Sequence, residues 1–235
     1  MAGTVSKRAE RAGRAKRPAG MPPAPKGAGR KASPLLPLAE RQAEKRDAIL
    51  NAALDEFSAS GFAAARLDDV ARRAGVAKGT IYLYFRDKES LFQELVRTML
   101  TPLIGRIEAA GTADLPARFV AESIAALFVN EIFGTRREAV LRLIITEGSR
   151  FPNLAEFYFH EVIARVVPAL RALMSRAVAR GELKHDALAR FPQLLVAPAL
   201  MSVVWSGLFG RLAPLDAREL MRAHIDLLFG ERSAT

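Results

Sequence analysis

The 235-residue chain has no cysteine. Disulfide scaffolds, thiolate zinc sites, iron–sulfur clusters and cysteine nucleophiles are excluded at once. Histidine is scarce, at three residues. His160-Glu161 opens like a metalloprotease helix, but Ala164 stands where the second ligand would be. His185 and His224 stand apart from each other and read as surface or interface residues. Gly75 to Thr80 lacks the spacing of a phosphate-cradling loop. No metal, no cofactor and no catalytic constellation are therefore expected, and the chain reads as a non-enzyme. Strand signals are also missing. Only Leu141 to Thr146 is a short run that a strand could use, and its Glu- and Arg-rich flanks favour helix.

Acidic residues are scarce in one place only. Residues 1–46 hold 12 Lys/Arg against 3 Asp/Glu, whereas the other 189 residues hold 23 against 22. The excess positive charge belongs to a tail. Residues 1–37 contain six prolines and no aromatic residue, so they bury too little to offset their ordering entropy and are expected to be disordered. They lack the apolar stretch of a signal peptide, which points to a cytoplasmic protein, and Met21 offers a second translation start. Arg14, Lys16 and Arg17, next to Pro18, are candidates for an arm on DNA phosphates.

From Leu38 onward the spacing is helical. Ile49, Leu50, Ala53, Leu54 and Phe57 share one face, and Ser60-Gly61 is expected to stop that helix. Two short helices follow, Leu67 to Ala74 and Lys78 to Phe85, split by Gly75. Asp87 is placed to cap a helix running to about Leu100, which Pro102 ends or kinks. Further helices are expected at 115–133, 136–148, 153–180 with a kink at Pro168, 186–209 and 215–229. The fold class is all-α. Phe191 to Gly210 is twenty residues without a charge, long enough for a membrane span. Its two prolines, its Gln193 and its flanking Arg190 and Arg211 favour a buried or subunit-interface helix, with no membrane partner.

Residues 66–85 carry the strongest functional signal. Val70, Ala71 and Ala74 are apolar and small on one helix. Gly75 can close the turn in a left-handed conformation, and Ile81 and Phe85 bury the next helix. An ordinary helical hairpin needs the same features. It does not need the outward set of Lys78, Gly79, Thr80, Tyr82, Leu83 and Tyr84, which places two of the chain's three tyrosines on one short helix. Such a helix fits the major groove of double-stranded DNA.

Residues 43–103 resemble the DNA-binding domain of the tetracycline-repressor (TetR) family. The resemblance rests on Ile49, Ala53 and Phe57, Gly61-Phe62, Asp69-Val70-Ala71, Ala74-Gly75-Val76, Lys78-Gly79-Thr80-Ile81-Tyr82, Tyr84-Phe85 and Lys88-Glu89-Ser90-Leu91. It implies a homodimer on a palindromic operator, with residues 104–235 binding a small molecule and dimerising. It implies that Thr80, Tyr82, Tyr84 and Lys88 touch mostly phosphates and that Lys78 lies nearer base edges. Two positions depart from the pattern. Ala65-Arg66 and Ala77 stand where many members carry a capping Ser or Thr. Arg66 becomes a candidate phosphate contact instead. Leu143 to Pro152, with Leu154 and Phe157, resembles a C-terminal subtype often found beside multidrug-efflux operons.

The function expected is a repressor released by a small hydrophobic effector. A membrane-anchored regulator and a non-specific DNA binder driven by the tail are the alternatives. Candidate effector-binding residues are Phe128, Phe133, Glu147, Phe157, Tyr158, Met201 and Trp205, with Leu141 in the lining and Asn130, Glu131, Thr146 and His160 as further polar candidates. The helix 88–100 is expected to be the only long element joining the two parts, with Pro102 as a pivot.

Overall fold

A computed structural model describes residues 38–230. The basic tail and its candidate DNA contacts lie outside the described residues. Within them there are helices and no strand. The order is α1 (Leu38–Ala64), α2 (Leu67–Arg73), α3 (Lys78–Tyr84), α4 (Lys88–Met99), α5 (Thr101–Thr112), α6 (Ala117–Leu127), α7 (Arg136–Glu147), α8 (Pro152–Tyr158), α9 (Ala164–Ala179), α10 (Ala187–Arg190), α11 (Gln193–Phe209) and α12 (Ala217–Phe229). Two five-residue π-helical segments interrupt this sequence. Phe128–Ile132 extends α6, and Phe159–Ile163 joins α8 to α9.

The first helix does not stop at Gly61. Its hydrogen bonding continues to Ala64 across a kink at which Gly61 has φ 75° and ψ 161°. That region of backbone space is open essentially to glycine alone. The kink turns Phe62 into the centre of the N-terminal head formed by α1 to α4, where its ring meets Phe57 at 5.2 Å and Phe92 at 6.2 Å. Asp87 caps α4 as expected. Its carboxylate accepts from the Ser90 amide at 2.7 Å, and Ser90 Oγ lies 3.2 Å from the Asp87 amide. The N-caps of α2 and α3, Arg66 and Ala77, make no side-chain capping bond.

Proline sets several boundaries differently from the spacing alone. Pro102 sits in the first turn of α5, where a helix leaves amides unpaired anyway. A helix therefore resumes immediately and fills 101–112, where none was expected. Phe191-Pro192 splits the expected 186–209 helix into α10 and α11. α9 runs through Pro168, and the irregularity falls upstream in the π segment. Pro198, inside α11, cannot donate to the carbonyl of Leu194. His224 of α12 compensates, with Nε2 2.8 Å from that oxygen. No helix among the described residues is long and apolar enough to cross a membrane.

In the C-terminal body α5 packs on α9, and α12 packs on both α6 and α11. Helix α4 is not the only bridge between head and body. α1 also packs against α7, with Arg136 Nη2 2.8 Å from both Asp55 Oδ1 and the Asn51 carbonyl. Arg137 donates to the Met99 carbonyl at 2.9 Å. Phe151, just before α8, meets Phe62 edge-on at 4.9 Å. A rigid-body pivot at Pro102 would have to break these contacts.

Candidate DNA-reading face and internal cavity

α2 and α3 form the helix-turn-helix. Val70, Ala71, Ile81 and Phe85 are buried beneath it, and Gly75 closes the turn at φ 68°. The Val76 amide donates to the Ala71 carbonyl at 3.0 Å, which fixes the turn against the end of α2. Burying Ile81 leaves Tyr82 and Leu83 outward, 50% and 83% exposed. Lys78 and Gly79 are exposed as well, and a side chain added at Gly79 would meet open space, so another chain can approach the backbone closely there. Thr80 is half-buried. Tyr84 is less outward than its spacing implied: it packs partly against the core, its ring 6.4 Å from that of Phe85.

The cations of this face differ in how free they are. Arg66 is exposed and forms no ion pair among the described residues. Lys78 Nζ lies 2.8 Å from Asp68 Oδ2, and the hydrogen bond and charge of that carboxylate raise the lysine's pKa. To read a base edge, Lys78 must exchange this partner. Lys88 is turned inward. Its ammonium donates to the carbonyls of Phe62 and Ala63, both at 2.8 Å, and lies 4.9 Å above the Phe62 ring. In this structure it ties α4 to the kink of α1.

The body holds a cavity of about 160 Å³. Leu100 at the end of α4, Ile104 of α5, Leu195 and Ala199 of α11 and Met221 of α12 contribute walls. Both π segments line it too, through Phe128 and Ile132 on one side and Val162 and Ile163 on the other. Such segments occur often at functional sites, because the extra residue re-aims side chains.

Of the seven candidate effector residues, Phe128 and Tyr158 line this cavity, as does Leu141; the other five lie elsewhere. Phe133 stacks on Phe128 at 6.0 Å without reaching the lining. Phe157 lies under the Arg97 guanidinium at 4.9 Å. Met201 is 54% exposed, and Trp205 donates to the Ala213 carbonyl at 2.6 Å while packing on Phe209. Glu147 sits at the head–body seam, its Oε1 close to Gly61 and its Oε2 buried without a hydrogen bond, 3.7 Å from Arg150. Asn130 accepts from Arg218, Glu131 pairs with Arg106 and Arg137, and neither Thr146 nor His160 reaches the cavity. The sequence reading missed His224, which lines the cavity while bonding Leu194. Its spacing after Met221 on α12 was the available signal.

Residues 49–95 match the family profile described as bacterial regulatory proteins, tetR family. Residues 120–226 match that of the AefR-like transcriptional repressor, C-terminal domain. The chain belongs to the TetR family of transcriptional regulators. Among TetR-family relatives, it is 27% identical over 140 residues to the HTH-type transcriptional regulator SrpR of Pseudomonas putida, spanning 60% of this chain and 64% of that protein. It is 38% identical over 73 residues to the regulator YhgD of Bacillus subtilis, spanning 31% of this chain and 38% of that one. The chain thus matches less than two thirds of the length of either. A solved SmeT–triclosan complex shares the fold, with a TM-score of 0.65 at 19% identity over 78% of this chain and 88% of that one.

Proposed function

We propose that this TetR-family chain is a dimeric repressor that reads a palindromic operator through α3 and releases it when a small hydrophobic molecule occupies the cavity. One observation carries the DNA reading: Tyr82 and Leu83 stand exposed on a helix whose opposite side is anchored in the head by fully buried Ile81. Residues 43–103 would be the reading domain and 104–235 the binding and dimerising one. Arg66, Lys78, Gly79, Thr80, Tyr82, Leu83 and Tyr84 are the proposed DNA contacts. Lys88 would join them only by leaving its carbonyl partners. The protein would act in the cytoplasm, by binding rather than by catalysis.

The dimer reading is supported by Leu194, Met201 and Leu208, which recur every seven residues along α11 and are all exposed, beside Leu227 of α12 at 85% exposure. A four-helix interface would cover them. The effector reading is supported by the cavity, whose wall includes Leu100 at the end of the helix that leads into the head. The SmeT complex, which holds triclosan, lends the same reading to this fold.

The test is a titration of labelled DNA flanking the chain's own gene. A dimer should bind one fragment in preference to random DNA at physiological salt. A hydrophobic compound that binds the cavity should weaken the complex, and DNA should weaken compound binding by the same factor. Equal affinity for random DNA, or compound binding with no reciprocal effect, would refute the respective half.

A further inference from the structure

The lining of the effector cavity narrows what can enter it. Every lining side chain except Tyr158 and His224 is apolar, and no Lys, Arg, Asp or Glu is among them. A ligand's ionic group would be stripped of water with no opposite charge to meet it. Three guanidinium groups line a second cavity between α6 and α12, which shares Ala125, Met221 and Ile225 with the first. They are already engaged. Arg118 pairs with Glu122 and Asp226, Arg222 pairs with Glu219 at 2.6 Å, and Arg218 donates to Asn130 at 2.8 Å.

The two polar lining residues differ. His224 Nε2 is committed to the Leu194 carbonyl that Pro198 leaves without a donor. Tyr158 lines the cavity, and its hydroxyl makes no hydrogen bond to the described residues. Burial pushes its pKa up to about 12, so it keeps its proton and can donate.

We propose that the cavity selects uncharged molecules with an apolar body and one polar group that bonds the Tyr158 hydroxyl, the chemistry of an aliphatic alcohol, and rejects carboxylates and ammonium ions of the same length. This rests on the cavity being the effector site. Losing the ligand's hydration shell without a counter-charge should weaken the ions by roughly a hundredfold. Losing one neutral hydrogen bond should weaken the alcohol by about three- to tenfold.

The experiment uses the full chain at about pH 8, where a carboxylate ligand is ionised. N-phenyl-1-naphthylamine, which brightens in apolar surroundings, is displaced with 1-decanol, decanoate or decyltrimethylammonium. Decanol should displace the probe at far lower concentration than either ion. Tyr158→Phe, which keeps the ring, should weaken decanol and leave the ions where they were. Decanoate or the ammonium ion within about threefold of decanol would overturn the proposal, as would a Tyr158→Phe variant with unchanged decanol affinity. A probe that stays dark, or that none of the three compounds displaces, would instead overturn the effector-cavity reading itself.

Discussion

The head and the body solve the packing problem with different side chains. In the head, Phe57, Phe62 and Phe92 are all fully buried and fill the space between the kinked α1 and α4 with rings 5.2 and 6.2 Å apart. In the body, helices interrupted by prolines and π segments meet through Leu, Ile and Val, and a void remains between them. The head must hold α3 in one orientation, and the body must leave room. The seam joining them, with Phe151 against Phe62 and Glu147 against Gly61, belongs to the filled side of this contrast.

The sharpest way to break the contrast is to remove one residue from each side. Phe62→Ala should cost about 3–5 kcal/mol in urea unfolding, and Leu103→Ala, already beside the void, about 2 kcal/mol. Equal losses would mean that the body is as tightly filled as the head. Gly61→Ala should cost about 1–3 kcal/mol, because alanine cannot adopt this backbone conformation without strain and its Cβ would lie 3.2 Å from Glu147 Oε1. A stability close to that of the parent chain would show that the kink relaxes freely.

Asp87→Ala should cost about 1 kcal/mol at neutral pH through loss of the α4 cap. The Ser90 amide, and after it Arg86, hold the Asp87 carboxyl below its ordinary value against the opposing effect of burial. A depressed folded-state pKa stabilises above the unfolded pKa, and this stabilisation fades as pH falls through the folded value. The difference between parent and Asp87→Ala should therefore stay constant from pH 7 to about 5 and shrink below about 4. A difference independent of pH would place the cap's effect elsewhere. Lys78→Ala is expected to have the smallest effect on folding, leaving the urea midpoint unchanged, since both partners of its ion pair face solvent. Its effect should appear in DNA selection, relaxing preference at one operator position about tenfold. Tyr82→Phe should weaken all sites alike.

The head was legible in the sequence because its signals are local. Gly75, Ala71, Ile81 and the Asp87 cap each specify a turn, a crossing or a helix start within a few residues. The body was legible only as helices. Each π segment adds a residue to a turn, so a face extrapolated at 3.6 residues per turn slips out of phase beyond it. Phe133 follows one such segment and misses the cavity that Phe128 and Ile132 reach. Met201 and Trp205 were assigned inward on a helix whose apolar residues cover its whole circumference, where spacing has no face to report. Lys88 turned inward because of partners far along the chain, the carbonyls of Phe62 and Ala63, which no local pattern records.

The Pro198–His224 contact has a consequence for how the sequence can drift. With proline at 198 the Leu194 carbonyl needs a donor from α12, and His224 is within reach to supply it. A relative with any other residue at the position of Pro198 recovers the amide and releases the position of His224 from this duty. The two positions, 26 residues apart and on different helices, should therefore change together among descendants of this gene. A proline retained beside a residue that cannot donate would mark a lineage in which water or another side chain has taken over that carbonyl.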